Sequence, residues 1–361
     1  MKKTALSAVL VAAALALSAC AAPPPTNPGS SDSGTTSPTS AAPKFLACMV
    51  SDSGGFNDNS FNQSGWEGMQ KAQSQLGVQI NSAESKTTAD FAPNLSSMQQ
   101  KNCNLTVTVG YLLAEATEAA AKANTSSHFA IIDNDDINQP NVKSLVFKTS
   151  DAAFLGGYVA AAYSTTGTVA TFGGGKIPSV MIFMDGFVDG VAQYNQDSGK
   201  DVKVLGWDKA TQDGVFTGDF EDQSKGQNTT KNFIDQGADV IMPVAGPVGN
   251  GAAAAAKESG KAVIIWVDAD GYETMPQYKD LMLTSVMKEI GAAVYDTIDQ
   301  AQQGKFSNAP YIGTLANGGV GIAPFHDFDS KIPAEAKAKI AELKASIAAG
   351  TLKVTSVNDP K

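Results

Sequence analysis

Short apolar segments alternate with helix-like stretches along nearly all of the chain after residue 44. This alternation predicts an α/β fold whose parallel sheets are covered on both faces, because parallel strands need a long crossover between them. Residues 44–361 are more than one hydrophobic core usually serves, so we expect two lobes. The predicted strands are 45–50, 78–80, 105–109, 129–132, 145–147, 168–171, 202–205, 240–244, 263–267 and 282–284.

The first 43 residues are predicted to export and tether the protein. Two lysines precede an apolar stretch over 5–17, which is too short to span a bilayer and is typical of an export signal. The stretch ends in Leu-Ser-Ala-Cys20, which resembles a lipobox, so we expect residues 1–19 to be removed and Cys20 to be lipidated. A plain secretory signal cleaved near residue 22 is the alternative. Residues 20–43 are rich in Pro, Ser and Thr and predict a disordered tether.

Composition argues against several functional classes. The formal net charge is -10, so nucleic acid and anionic lipid surfaces are unfavourable partners. The chain has two histidines and three cysteines, so we expect no metal site, no histidine-based triad and no cofactor. Export permits a disulfide between Cys48 and Cys103, with two buried free thiols as the alternative.

The loop after the first predicted strand is the first candidate for a binding site. Residues 52–59 contain short polar side chains and a Gly-Gly pair, which favour a turn. Ser60 and Gln63 have the spacing of a capping box, which predicts that a helix begins at Phe61. Ligands of open α/β sheets sit at such carboxyl edges, although an ordinary strand-to-helix turn would have the same pattern.

Charged and aromatic residues recur near predicted strand ends. Asp52, Asp133 and Asp268 each follow a strand, and ionised carboxylates at one sheet edge suit sugar hydroxyls. Helix capping is the alternative role for each of them. Lys288, predicted to open a later helix, would supply a donor. Candidates for stacking on a planar ligand are Phe56, Phe61 and Phe187, whereas Phe183 and Trp207 are expected in the core.

One segment has the pattern of a dinucleotide-binding unit. Residues 249–254 read Gly-Asn-Gly-Ala-Ala-Ala and lie between a predicted strand and a predicted helix, and Asp268 ends the next strand. Four extra residues separate the strand from the glycines, however, and an exported chain meets little NAD. An exported NAD-dependent enzyme is therefore the less favoured alternative.

The ordered motifs resemble the basic membrane lipoprotein (BMP/PnrA-like) family, the substrate-binding lipoproteins of ABC nucleoside importers. The resemblance covers nearly all of residues 45–325. The motifs are Asp52-Ser-Gly-Gly-Phe-Asn-Asp-Asn-Ser-Phe-Asn-Gln-Ser-Gly-Trp-Glu-Gly68, Val109-Gly-Tyr111, Phe129-Ala-Ile-Ile-Asp133, Phe154-Leu-Gly-Gly-Tyr158, Phe183-Met-Asp-Gly-Phe-Val-Asp-Gly190, Val244-Ala-Gly246, Val267-Asp268 and Thr284-Ser-Val-Met-Lys288.

This resemblance implies a type I periplasmic-binding-protein fold, in which two Rossmann-like lobes close on a ligand. It implies that Phe61 stacks on the base of a nucleoside. The loop after Val244 carries Pro247 and Val248 where some relatives are expected to have a second aromatic, and Phe56 is the candidate to compensate. From the residue patterns and the resemblance together, the predicted ligand residues are Asp52, Asp58, Phe61, Asn62, Asp133, Phe187, Gly246, Asp268 and Lys288.

The predicted organisation follows from the strand pattern and the resemblance together. Lobe 1 comprises residues 44–148 with 270–308, lobe 2 comprises 149–269 with 309–325, and 326–361 form a C-terminal helix and tail. The expected protein is a lipid-anchored monomer that binds a nucleoside, a purine nucleoside in particular, and delivers it to an ABC permease and ATPase without chemistry. A sugar or polyol ligand in the same fold is the alternative.

Overall fold

A computed structural model describes residues 45–361. The predicted signal at 1–19, the tether at 20–43 and the lipidation site Cys20 lie outside the described residues. The strands are β1 (Leu46–Ser51), β2 (Gln79–Ala83), β3 (Leu105–Val109), β4 (His128–Ile132), β5 (Val142–Phe147), β6 (Thr168–Gly173), β7 (Lys203–Leu205), β8 (Trp207–Asp208), β9 (Asp213–Gly214), β10 (Val240–Val244), β11 (Val263–Asp268), β12 (Met282–Lys288), β13 (Tyr311–Gly313) and β14 (Val320–Ile322). The α-helices are α1 (Phe61–Leu76), α2 (Phe91–Gln100), α3 (Ala114–Ala123), α4 (Thr149–Tyr163), α5 (Pro178–Ser198), α6 (Gln223–Asp235), α7 (Val248–Ser259), α8 (Gly271–Thr274), α9 (Ile290–Gln302) and α10 (Ala334–Ala348).

Two six-stranded sheets organise the described residues. The first has the order β13-β5-β4-β3-β1-β2 and the second the order β14-β12-β11-β10-β6-β7. All neighbours within these sheets are parallel except β14, which is antiparallel to β12. We call the first sheet with α1, α2, α3 and α9 the first lobe, and the second sheet with α4 to α7 and α10 the second lobe. The predicted α/β fold with two parallel sheets is confirmed.

The chain crosses from one lobe to the other at positions that differ from the predicted ones. β12 lies in the second sheet because it pairs in parallel with β11, whereas residues 270–308 were assigned to lobe 1. β13 lies in the first sheet beside β5, whereas residues 309–325 were assigned to lobe 2. β13 and β14 are three residues each, too short to leave a period-2 pattern in the sequence. Helix α9 does belong to the first lobe, where it packs on α1.

Glycines bring α4 and α5 into close contact. A Cβ atom on Gly157 would lie 2.0 Å from the carbonyl oxygen of Phe187, and one on Gly190 would lie 1.9 Å from that of Phe154. No side chain fits at either position, so the backbones of the two helices touch there. This contact accounts for the glycines in two of the motifs, and it holds α5 in a fixed position beside the cleft.

The remaining sequence features have structural roles outside the cleft. Cys48 in β1 and Cys103 before β3 form a disulfide in the core of the first lobe. Helix α10 buries Ile340, Leu343 and Ile347 and packs on α4. Among residues 45–361, no helix combines the length and apolar character that a membrane crossing requires.

Candidate functional site

A cavity lies between the lobes at the carboxyl ends of the parallel strands, the edge where ligands of open α/β sheets bind. About 510 Å³ of unoccupied space lies between its lining residues, a figure that includes space open to solvent. The structure brings eight of the nine predicted ligand residues to its wall: Asp52, Asp58, Phe61, Asn62, Asp133, Gly246, Asp268 and Lys288.

A buried lysine joins two of the predicted carboxylates. Lys288 Nζ lies 2.6 Å from Asp133 Oδ2 and 3.2 Å from Asp268 Oδ1. Burial lowers the pKa of Lys288, but the two carboxylates outweigh burial and hold this pKa above its usual value. Burial raises the pKa of Asp133 despite the neighbouring ammonium group. Lys288 is the last residue of β12, so the prediction that it opens a helix was wrong.

Asp133 and Asp268 have left-handed backbones where their strands end. Their φ angles are +66° and +70°, a region that Asp tolerates better than most residues. Neither accepts a hydrogen bond from the backbone of a following helix. Capping, the alternative role considered for them, is therefore not what these two side chains do. Asp270, two residues later, does cap α8 by accepting from Tyr272 N.

Asp58 caps the helix that carries Phe61. Its Oδ1 accepts hydrogen bonds from Ser60 N and Gln63 N, and its Oδ2 accepts from Asn62 N at 2.8 Å. The predicted capping box was wrong, because the Ser60 hydroxyl points to the second lobe. There it lies 3.0 Å from both Val267 O and Asp268 Oδ2. The first turn of α1 is thereby fixed against the opposite wall of the cleft.

Two carboxyl groups of the first lobe are strongly perturbed. Burial, together with the negative charges of Asp58 and Asp133, raises the pKa of Asp52 to about 8. Burial raises the pKa of Asp58 to about 6, against three backbone N–H groups that lower it. Asp52 therefore carries a proton at neutral pH and presents both a donor and an acceptor to the cavity. Asn62 Oδ1 is buried beside it and has no hydrogen-bond partner among the described residues.

The aromatic residues are distributed differently from the prediction. Phe187 is fully buried in the core on α5 and does not line the cavity, so its assignment to the ligand site was wrong. One helical turn earlier, Phe183 is buried in the core as expected, and it also lines the cavity. Phe56 stacks on Trp66 with ring centroids 5.0 Å apart and does not reach the cleft. Phe61 lines the cavity, and its ring centroid lies 4.6 Å from Lys288 Nζ.

Phe220 is an aromatic wall that the sequence analysis missed. It belongs to the second lobe and lines the same cavity as Phe61 of the first. Its ring covers Gly174 and Gly175, where added Cβ atoms would lie 2.4 Å and 3.2 Å from ring carbons. The glycines that follow β6 therefore make room for this ring. The sequence signal that could have pointed to this ring is the Gly-Gly-Gly run at 173–175.

The glycines of the dinucleotide-like segment serve helix packing. A Cβ atom on Gly251 would lie 1.8 Å from Gln223 O, and one on Gly249 would lie 2.8 Å from the Trp266 ring. Both glycines are buried within α7, and neither lines the cavity. Within residues 45–361, no three His, Cys, Asp or Glu side chains are placed to hold a metal ion.

Residues 45–356 match the family model described as ABC transporter substrate-binding protein, PnrA-like. The chain belongs to this family. It is 31% identical over 329 residues to the ABC transporter nucleoside-binding protein BmpA of Lactococcus lactis, covering 86% of this chain and 89% of that one. It is 33% identical to a CD4+ T-cell-stimulating antigen of Listeria monocytogenes, covering 86% of this chain and 88% of that one.

Solved structures agree with the PnrA-like assignment. An ABC transporter solute-binding protein of Aeropyrum pernix superposes with a TM-score of 0.79 at 25% identity, covering 87% of this chain and 94% of that one. A glucose-galactose binding protein of Geobacillus stearothermophilus has a TM-score of 0.57 at 15% identity, covering 80% and 99% respectively, which shows a shared fold alone. The PnrA-like family consists of substrate-binding components of ABC transporters.

Proposed function

We propose that this chain binds a purine nucleoside between its lobes and delivers it to an ABC permease. The observation that supports this proposal most strongly is that an aromatic ring from each lobe lines the cavity, Phe61 from the first and Phe220 from the second. The same cavity is lined by Lys288 and the two carboxylates that it contacts. A planar base stacks on these rings, since stacking needs only a flat apolar face. Lys288, close above Phe61, helps to hold that ring in place.

The polar groups of the cavity suit the rest of a nucleoside. Asp133 and Asp268 present carboxyl oxygens that can accept hydrogen bonds from ribose hydroxyls. The protonated Asp52 and the unpaired Asn62 Oδ1 offer a donor and acceptors to the polar edge of a base. Gly246 leaves room beside Phe220. No residue in this set is placed as a nucleophile with its base, so we assign binding and release without chemistry.

Ligand binding selects the closed arrangement of the lobes, because only that arrangement presents both walls at once. The name of the Lactococcus relative supports a nucleoside ligand. Relatives named as lipoproteins in Pyrococcus support anchoring through Cys20, with residues 20–43 as the tether. In this proposal the exported protein is a monomer on the outer face of the cell membrane, and its partners are the permease and the ATPase.

Thermal unfolding of residues 44–361 tests the ligand class. The protein is unfolded and refolded to remove any bound ligand, then screened with nucleosides, free bases, sugars and NAD. A ligand at about 100 times its dissociation constant adds about 2.7 kcal/mol, a shift of a few degrees in melting temperature. Shifts with nucleosides support the proposal. A shift with sugars alone would contradict the stacking role of Phe61, and a shift with NAD alone would restore the dinucleotide interpretation.

Titration calorimetry of single variants tests the two aromatic walls. Phe61→Ala and Phe220→Ala should each weaken nucleoside binding by about 10- to 100-fold, the range for losing one stacking partner of a base. Phe306→Ala is the matched control, since Phe306 stacks on His128 and does not line the cavity. Equal affinities in wild type and Phe220→Ala would remove Phe220 from the site.

A further inference from the structure

The C-terminal segment 354–361, which we call the strap, is attached to the second lobe by a buried carboxylate. Asp185 on α5 is fully buried, and its Oδ2 accepts from Ser356 Oγ at 2.5 Å and Asn358 Nδ2 at 3.1 Å. Its Oδ1 accepts from Trp207 Nε1 and Gln212 Nε2. Both oxygens of this buried carboxyl group thus accept hydrogen bonds, and two of the four donors come from the strap. The strap therefore has a defined position.

Beyond Asn358 the strap crosses to the first lobe. Asp359 Oδ1 still accepts from Ser150 Oγ of the second lobe at 2.6 Å. The backbone N–H of Lys361 donates to Asp135 Oδ2 of the first lobe at 2.6 Å, and its Nζ forms an ion pair with Asp136. Asp135 and Asp136 lie in the segment that follows β4, beside Asp133. The strap thus spans the cleft next to the proposed ribose contact.

The strap forms one wall of a second cavity, which we call the strap cavity. About 600 Å³ of unoccupied space, including space open to solvent, lies between its lining residues, and strap residues 357–361 form part of this lining. It adjoins the ligand cavity, because Tyr111, Asp133 and Ser179 line both. A ligand that extends past Asp133 would therefore enter the strap cavity and meet the strap.

The strap cavity is strongly acidic. Its wall carries the carboxyl groups of Asp133, Asp135, Asp136 and Asp359, and Lys361 is the one ammonium group among its lining residues. Asp133 shares its charge with Lys288 on the ligand side, and Asp136 shares its charge with Lys361. Asp135 and Asp359 have no ion-pair partner among the described residues. An anionic group entering this space therefore meets a net repulsive potential.

We propose that the strap is a specificity determinant that closes the ribose end of the site and rejects ligands extended by a phosphate group. The inference rests on the proposed nucleoside function. It assigns the strap and Asp135, Asp136 and Asp359 to charge selection rather than to direct contact with the nucleoside. Uncharged nucleosides end at Asp133, whereas a 5′-phosphate places its charge among these carboxylates.

Titration calorimetry with adenosine, guanosine and their 5′-monophosphates tests the inference on residues 44–361, which lie within one compact unit. In the wild type, the monophosphates should bind at least about 100-fold more weakly than the nucleosides. In the double variant Asp136→Asn/Asp359→Asn, monophosphate affinity should rise about tenfold. This is the effect of two charges at about 10 Å from a doubly charged phosphate group in an effective dielectric constant of about 80. Nucleoside affinity should stay within about threefold.

Two further variants separate charge selection from packing. Lys361→Met removes the cation and should weaken monophosphate binding several-fold further, with nucleoside binding unchanged. Asp235→Asn/Asp299→Asn removes the same number of charges outside both cavities, and it should leave the affinities for nucleosides and monophosphates unchanged. If the strap only packed against the lobes, the double variant and Lys361→Met would change the affinities for nucleosides and for monophosphates alike.

The outcomes distinguish the two proposals. If nucleosides bind and the monophosphates bind as tightly, or if the double variant leaves monophosphate affinity unchanged, the strap inference is overturned and the nucleoside function stands. If no nucleoside binds the wild type, the proposed function fails and the strap inference falls with it.

Discussion

Replacing Lys288 with methionine tests the electrostatic reasoning about the site. Lys288 is buried, and within residues 45–361 its ammonium group is the one cation in contact with Asp133 and Asp268. Methionine keeps much of the side-chain volume but leaves the two buried carboxylates without a neighbouring cation. Removing one member of a buried ion pair costs about 3–5 kcal/mol, because the remaining charge is desolvated without compensation. We expect a loss of about 3 kcal/mol at pH 8, near the lower limit, since opening of the lobes would let water reach the carboxylates.

The loss of stability caused by Lys288→Met should become smaller as the pH falls. Burial already raises the pKa of Asp133, and loss of the Lys288 ammonium group raises it further above the unfolded value of about 4. The folded variant then binds protons that the unfolded chain releases, so its stability falls as pH rises through that window. Urea unfolding of Lys288→Met at pH 5, 6, 7 and 8 measures this dependence. Adding Asp133→Asn and Asp268→Asn to the variant should recover most of the lost stability at pH 8.

An exposed ion pair provides the matched control. Lys231 pairs with Glu258 at 2.9 Å on the surface, and both side chains are largely exposed. Lys231→Met should cost about 0–1 kcal/mol at every pH. The reasoning is refuted if Lys288→Met loses the same stability at pH 5 as at pH 8, or if the triple variant is no more stable than the single one.

Three shorter predictions concern the first lobe. Asp52→Asn should flatten the pH dependence of stability between pH 4 and 8 in urea titrations, because the raised pKa makes wild-type stability fall with rising pH by at most about 1.4 kcal/mol per unit. Gly110→Ala should abolish tight ligand binding in calorimetry, since its Cβ would lie 2.1 Å from Asp52 Oδ2. Gly77→Ala, with nothing within 4 Å, should cost only about 1 kcal/mol. Reducing the disulfide between Cys48 and Cys103, which are 55 residues apart, should remove about 4 kcal/mol in melts with and without reductant.

The alternation of strand and helix was enough to predict the fold, and each segment predicted as a strand overlaps an observed strand. Apolar runs followed by polar turns are local signals, so they survive in the sequence. The sheet to which a strand belongs is decided by long-range pairing. For that reason β12 and β13 were placed in the wrong lobes, although β12 itself was found.

The polar part of the site was predicted better than its aromatic part. Carboxylates at the carboxyl ends of parallel strands face the cleft between the two sheets, and Asp133 of the first sheet and Asp268 of the second both contact Lys288 there. Which face of α5 points to the cleft depends on its contact with α4. Phe183 and Phe187 are one turn apart, and the sequence does not say where the helix sits. Phe220 lies in an irregular segment without a periodic pattern, so only its contact with Gly174 and Gly175 reveals it.

The polar cluster of the site also links the two lobes. Asp133 belongs to the first lobe, whereas Asp268 and Lys288 end neighbouring strands of the second. Separating the lobes would therefore break the contact between Lys288 and Asp133 but keep the one between Lys288 and Asp268. Because water would replace the lost partner, opening costs less than removal of a charge would. A ligand that donates hydrogen bonds to both carboxylates adds its binding energy to the closed form alone. The residues that we propose to contact the ligand thus also link its binding to closure of the lobes.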